Sequence, residues 1–114
     1  MNEITEYRKA TAEALGAVMN YAHGLIKLQG KMYRTDETPA YAYPLWIPDT
    51  DHDQMAMVED WLWDKGFTIG LIRNQLIQET QAYIAKGASK FYEGFDESKS
   101  IAFMKAFMSY YKTK

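Results

Sequence analysis

The sequence predicts an α+β domain in which three helices are layered with a small antiparallel sheet of about three strands. Helical spacing of apolar residues in three segments and a run of short extended segments after Gly66 predict it. The predicted order is helix, loop, helix, strands, helix, which is typical of helices that cover one face of an antiparallel sheet. Since 114 residues is the length of one domain, we expect residues 1–114 to form a single one.

The first segment is predicted to be a helix from Glu3 to about Tyr21. Side chains that would share one face recur at spacings of three or four: Ile4, Tyr7, Thr11, Leu15, Val18 and Ala22. Gly16 and Gly24 lower the helix propensity, so the predicted end is open and could extend towards Leu28.

The segment from Gly30 to Pro48 contains all three prolines and no helical period. Each proline removes a backbone donor and biases the preceding residue towards extended geometry. We therefore predict a loop that contains at most a short edge strand.

A second helix is predicted to begin within Pro48–Asp51 and to end at Lys65. The Asp and Thr side chains there can cap free amides, and Gly66 is the expected left-handed stop. Met55, Val58 and Leu62 form its apolar stripe. Trp61 and Trp63 fall on nearly opposite sides, so we expect one in the core and one at the surface.

Strands are predicted at Phe67–Arg73, within Thr80–Phe91, and at Ser89–Tyr92 after a turn at Gly87. The last helix is predicted from Asp96, as its cap, to about Lys112. Its apolar arc is wide enough for contact on two sides. The second contact is either the first helix, beside the sheet, or a second copy in a homodimer through the C-terminal helix.

Three short motifs resemble the phage ABA-sandwich domain, a family of small phage-encoded proteins. They are the Trp-x-Pro loop Leu45–Asp51 before the helix Gln54–Leu62, the glycine-led strand entry Lys65–Ile69, and Glu93–Ser98 before Ile101–Ala106. The resemblance implies a layered α–β fold of phage or prophage origin. It implies no catalytic residues, because the family has none assigned.

Composition excludes several classes of protein and site. The absence of cysteine excludes a disulfide scaffold, a thiolate metal site and a cysteine nucleophile. The first residues lack the pattern of a signal peptide, and no apolar run has the length of a membrane span. We therefore expect a cytoplasmic protein with no membrane partner, and the family resemblance implies that the cytoplasm is that of an infected bacterial host.

The charge is distributed unevenly along the chain. Between Thr35 and Asp64 there are eight acidic residues and no Lys or Arg. This block suits a basic protein surface and not a nucleic-acid backbone. The alternative is an acidic helix face that is only solvated. The residues predicted to bind a partner are Asp49, Asp51, Asp53 and Asp60.

No catalytic constellation is visible, and we expect no enzyme and no cofactor. His52 lacks a nucleophile or a second catalytic group in the sequence. Asp49, Asp51, Asp53 and Asp60 have calcium-loop spacing, but Gln54 stands where that loop needs glycine. Helix capping explains the acids without a metal.

The loop before the second helix is rich in aromatic rings, and its rings and guanidinium could stack on a base and hold a phosphate. The residues predicted to bind such a ligand are Tyr33, Arg34, Tyr41, Tyr43, Trp46 and Arg73. The alternative is that Tyr41, Tyr43 and Trp46 pack over the sheet.

These observations lead to one functional hypothesis with two alternatives. The hypothesis is a non-enzymatic phage or prophage accessory protein that binds and blocks a host protein target, as a counter-defence inhibitor does. The first alternative is an oligomeric sponge for a small nucleotide signal. The second is a phage assembly or virion-associated protein.

Overall fold

The computed structural model describes residues 3–20, 24–35, 43–87 and 90–113. The elements in them are α1 (Glu3–Ala14), β1 (Val18–Asn20), β2 (Leu25–Leu28), β3 (Lys31–Arg34), α2 (His52–Asp64), β4 (Thr68–Asn74), β5 (Glu79–Lys86), β6 (Lys90–Asp96) and α3 (Lys99–Lys112). The strands form two antiparallel sheets, ordered β1-β2-β3 and β4-β5-β6. The α+β class is confirmed, and the first sheet is an addition to the single sheet that was predicted.

Helix α1 ends at Ala14, so the predicted continuation to about Tyr21 is wrong. Gly16 has a φ of +85°, and the amides of Gly16 and Ala17 donate to the carbonyls of Glu13 and Ala12. This pair of bonds is a Schellman motif, which closes the helix and turns the chain away from its axis. The residues after it form β1 instead of further helical turns.

The first sheet is built around a two-residue hairpin between β2 and β3. Leu28 pairs with Lys31, and the two turn residues between them, Gln29 and Gly30, both have positive φ. Two consecutive positive φ values are those of a type I′ turn, whose twist matches that of antiparallel strands. Strand β3 lies where a loop with a short strand was predicted.

The second sheet and its helices follow the prediction more closely. Asp51 caps α2, with its side chain accepting from the amide of Gln54, and Gly66, with a φ of +89°, ends it. Strands β4, β5 and β6 pair in register over seven residues each. Gly87 lies in the turn between β5 and β6, as predicted, with a φ of +60°.

Helix α3 begins at Lys99 and is capped by Ser98, not by the predicted Asp96. Asp96 ends β6 and accepts hydrogen bonds from the amide of Ser98 and from Lys105 Nζ. The Ser98 bond, followed by the Lys105 contact, lowers the pKa of the Asp96 carboxyl. The helix packs on β5, β6 and α1, so its wide apolar arc is used within the chain.

Two hydrophobic cores lie side by side. The larger lies between the second sheet and the three helices, and it includes Phe103, Phe107 and Tyr7. The smaller lies under the first sheet, around Ile26, Leu28, Tyr33 and Trp46. Helix α1 contributes to both through Tyr7 and Ala12, and α2 through Val58 and Met57. Helices α1 and α2 therefore connect the two sheets. The contacts of α2 with both cores fix its orientation.

Candidate functional site

The loop before α2 is held against α1 by buried polar contacts. Asp49 is 2% exposed and forms a two-point ion pair with Arg8, with Oδ1 2.7 Å from Nε and Oδ2 3.0 Å from Nη2. Trp46 Nε1 donates to the carbonyl of Arg8 and to Thr11 Oγ1. A buried carboxylate is stable only with such pairing, so this contact is structural.

Gln54 fixes the start of α2 to the same loop. Its Oε1 accepts from the amide of Ile47 at 2.6 Å, and its Nε2 donates to the carbonyl of Leu45 at 2.8 Å. The side chain is buried, and the two bonds satisfy both ends of its amide. With Val58 and Leu62 in the larger core, one side of α2 is fixed inward.

The opposite side of α2 is exposed and carries three carboxylates and one indole. The exposed residues at helical spacing on this side, which we call the acidic face, are Asp53, Ala56, Asp60, Trp63 and Asp64. Trp63 is 66% exposed. None of the three carboxylates forms an ion pair with a residue that the structure describes.

Glu59 borders the acidic face and is half-buried. Burial, with a smaller contribution from the neighbouring Asp60, raises the pKa of the Glu59 carboxyl. Burial favours the neutral form of an acid, and a nearby negative charge does the same. The negative charge of Asp60 therefore adds to the effect of burial at Glu59.

Trp61 lies on the other side of the helix from Trp63, as the sequence predicts. It is half-buried against the larger core, where its ring contacts Phe107 and Tyr110, and Lys65 Nζ lies 4.9 Å from the ring centroid. The acidic face thus carries the surface tryptophan of the pair.

The predicted partner-binding aspartates have three different roles. Asp49 is buried with Arg8, which corrects its assignment to a binding surface. Asp51 is half-buried and caps α2. Asp53 and Asp60 are exposed on the acidic face. Asp64 and Trp63 were not predicted to bind a partner. Asp64 lies four residues after Asp60 and Trp63 three residues after it, which places both on the same side of the helix.

Two of the predicted ligand-binding rings are packed in the smaller core. Trp46 is 2% exposed, Tyr33 is buried, and their ring centroids lie 5.1 Å apart at 71°. Burial leaves neither ring a face on which a base could stack. This corrects the ligand-binding assignment of both residues, and for Trp46 the packed alternative is correct.

Of the remaining predicted ligand contacts, Arg34 and Tyr43 lie together, whereas Arg73 lies in the other sheet. Arg34 lies in β3, where its Nε donates to the carbonyl of Tyr43, itself exposed. Arg73 lies in β4 of the other sheet and donates to the carbonyl of Glu97 at 2.7 Å. Tyr41 lies outside the described residues. The described members of this set therefore lie at the first sheet, except for Arg73.

Within the described ranges, no three His, Asp or Glu side chains are grouped so that they could hold a metal ion. No helix in those ranges is long and apolar enough to cross a membrane.

Comparisons with known proteins give no match. No protein-family model matches the sequence, and neither the curated proteins nor the solved structures compared with it show significant similarity. The resemblance to the phage ABA-sandwich domain therefore stays a prediction based on its three motifs.

Proposed function

We propose that this chain is a non-enzymatic binding protein that docks the acidic face of α2 on a basic surface of a host protein and blocks it. The observation that supports the proposal is an exposed indole on one helix face beside three carboxylates that form no ion pair with a described residue. The proposal that the chain acts for a phage or prophage, as a counter-defence inhibitor, is based on the family resemblance.

Trp63 and the carboxylates would make different contributions to binding. A tryptophan that is buried on association contributes a large share of the affinity, because it removes much apolar area at little entropic cost. Carboxylates around it steer a basic partner to the face and select against acidic ones. The combination suits a protein surface that is shaped to hold nucleic acid.

The helix is also prepared for binding before it meets a partner. Gln54 and the core contacts of Val58 and Leu62 hold its inward side. A preformed face loses little conformational entropy on association. The affinity therefore depends on the contacts themselves and not on folding of the face.

Photo-crosslinking from the acidic face tests the proposal. A photoreactive residue at Ala56 should capture a specific host protein in cells, and the same residue at exposed Glu97 should not. The double variant Asp60→Lys/Asp64→Lys should abolish capture. Both positions lie in the second half of α2, away from its N-terminal cap, so the reversal leaves the cap at Asp51 intact.

The matched control is Glu3→Lys/Glu97→Lys, which makes the same change in net charge at exposed positions in α1 and in the bend before α3. It should leave capture unchanged. Trp63→Ala should reduce affinity for the captured protein by a factor of about 10 or more. Equal loss of capture in both charge variants would refute a role for this particular face.

The alternatives have separate tests. A nucleotide sponge predicts that cyclic or ADP-ribose-type nucleotides raise the melting temperature by several degrees, which a protein-blocking role does not. A virion protein would be found in purified particles. An enzyme that uses His52 should lose its activity in His52→Ala. A His52→Ala variant with full activity would refute this alternative.

A further inference from the structure

Strand β4 is an open edge of the second sheet. In the order β4-β5-β6 its described neighbour is β5 alone, and its other side pairs with no strand in the described ranges. Leu71 is 44% exposed and Ile72 is 54% exposed. Unpaired amides and carbonyls beside exposed apolar side chains form a template for another strand.

The two edges of this sheet differ in how they are protected. Strand β6 carries charges at Glu93 and Asp96, and α3 packs so closely on Gly94 that a Cβ there would overlap its backbone. Strand β4 has no Lys, Asp, Glu or Pro, and it pairs with β5 without a bulge. Charges, prolines and bulges are the usual means of blocking an edge.

The single charge of β4 does not protect the edge either. Arg73 donates from Nη1 to Thr80 Oγ1 and to the carbonyl of Glu97, and from Nη2 to Gln78 Oε1. These contacts draw the guanidinium back across the sheet, away from the open side of β4.

We propose that β4 pairs antiparallel with β4 of a second copy of this chain. The two sheets then join into one six-stranded sheet around a two-fold axis. The dimer surface differs from the predicted one, because the apolar arc of α3 is already covered by the sheet and α1. This inference is independent of the function proposed for α2.

The sequence of β4 is complementary to itself in this pairing. When it is centred on Leu71, Gly70 lies opposite Ile72 of the other copy, and the two Leu71 residues face each other. Tyr83 fills the space over Gly70, where a Cβ would overlap its ring. Since residues opposite each other share a face, Ile72 of the other copy would pack beside that ring.

Charge also favours a second copy. The two Arg73 residues would lie about 14 Å apart along the strands. This exceeds the screening length of about 8 Å at physiological salt, so they repel each other little. A strand without acidic or other basic residues has no charge pattern with which to select a foreign strand.

The size of the contact predicts a reversible dimer. Seven residues of strand span about 23 Å. These seven residues per copy are fewer than the roughly 20–30 residues per partner of a standard stable interface. We therefore expect a dissociation constant in the micromolar range, so that dimer and monomer exchange within experimental concentrations.

Sedimentation equilibrium of the full chain tests this inference. Its mean mass should rise with concentration from that of one chain, 13.2 kDa, to twice that value. Ile72→Lys should keep the mass of one chain at every concentration. Because Ile72 is exposed, the variant should fold, which an unchanged circular dichroism melt at low concentration confirms.

The matched control is Phe95→Lys, which adds the same charge at a position on β6 that is 43% exposed. It should dimerise as the original chain does. The inference is overturned if the original chain stays monomeric up to millimolar concentration, if Ile72→Lys dimerises unchanged, or if Phe95→Lys abolishes the dimer.

Discussion

Tyr7 carries a buried hydroxyl that makes no hydrogen bond to a described residue. Its ring packs edge-to-face on Phe107 in the larger core, with centroids 5.7 Å apart. Burial, with smaller contributions from Asp49 and Glu59, raises the pKa of the Tyr7 hydroxyl. The ring stabilises the core, whereas the polar atom costs free energy.

We expect Tyr7→Phe to increase the free energy of unfolding by about 1 kcal/mol, because it removes an unsatisfied polar atom and keeps the ring. Urea unfolding at pH 7 measures this. A loss of more than about 1 kcal/mol would instead mean that the hydroxyl has a partner.

The same substitution should change stability at alkaline pH. In the unfolded chain Tyr7 ionises near pH 10, whereas in the fold it stays protonated to higher pH. Its contribution to stability is thus unchanged below about pH 10 and falls as pH rises above it. Tyr7→Phe should lose less stability than the original chain between about pH 10 and 11.

The ion pair between Arg8 and Asp49 gives a second prediction for single residues. Asp49→Asn should lower the free energy of unfolding by about 2–3 kcal/mol, because it breaks a buried pair whose arginine is partly exposed. Asp53→Asn is the matched control on exposed surface, expected within about 0.5 kcal/mol. Similar effects of the two would contradict a structural role for Asp49.

At the scale of elements, two glycines are required for different physical reasons. Gly94 of β6 lies under α3, where a Cβ would overlap the carbonyl oxygen of Ala102 and the amide of Ala106. Gly16 ends α1 with a φ of +85°, and a Cβ there would meet no atom within 4 Å. The first is a packing requirement and the second a backbone requirement.

Gly94→Ala should therefore destabilise the chain by more than 2 kcal/mol, on the order expected of overpacking against a backbone that must move. Gly16→Ala should cost only about 1 kcal/mol, for backbone strain. Chemical unfolding of both variants tests the order. A Gly94→Ala variant as stable as the original chain would show that α3 can shift without cost.

The predictions made from the sequence differ in success between elements. A cap among Asp49, Thr50 and Asp51, the stop at Gly66 and the strands after it were predicted, because each depends on local signals within a few residues. The first sheet was missed because Leu15 and Val18 continue the helical spacing of α1 past Gly16. Whether the residues after Gly16 form helix or strand depends on the pairing of β1 with β2, which is a contact between separate segments.

At the scale of the whole molecule, α1 and α2 join two cores that each cover one sheet. Tyr7 and Val58 lie in the larger core, and Ala12 lies in the smaller, with Met57 packed against it. Neither core can lose its packing without exposing a side of both helices. The two sheets should therefore unfold together.

We expect one cooperative transition in urea. The fluorescence of Trp46 reports on the smaller core and that of Trp61 on the larger. Two variants, each with Trp63→Phe, would keep only one of these two tryptophans. In each variant the fluorescence transition should coincide with the circular dichroism transition. Separate fluorescence and dichroism midpoints within one variant would show that the two cores unfold independently.

The acidic charge of the candidate site could be predicted from the sequence, but the residues that form the site could not. The acidic block between Thr35 and Asp64 indicated a basic partner, and helical spacing separated Trp61 from Trp63. Burial of Asp49 could not be predicted, because its partner Arg8 is 41 residues earlier in the chain. The rings of Tyr33 and Trp46 were ambiguous for the same reason, since an aromatic loop residue suits a pocket and a core equally.

The sequence by itself determined the α+β class, the limits of α2, the turn positions around the second sheet and the acidic character of the central segment. Each depends on periodicity, local backbone preference or composition. The tertiary structure alone decided that the first sheet forms, which acids remain at the surface and which edge of the second sheet stays open. Those outcomes depend on contacts between distant segments, whose free energy no local pattern contains.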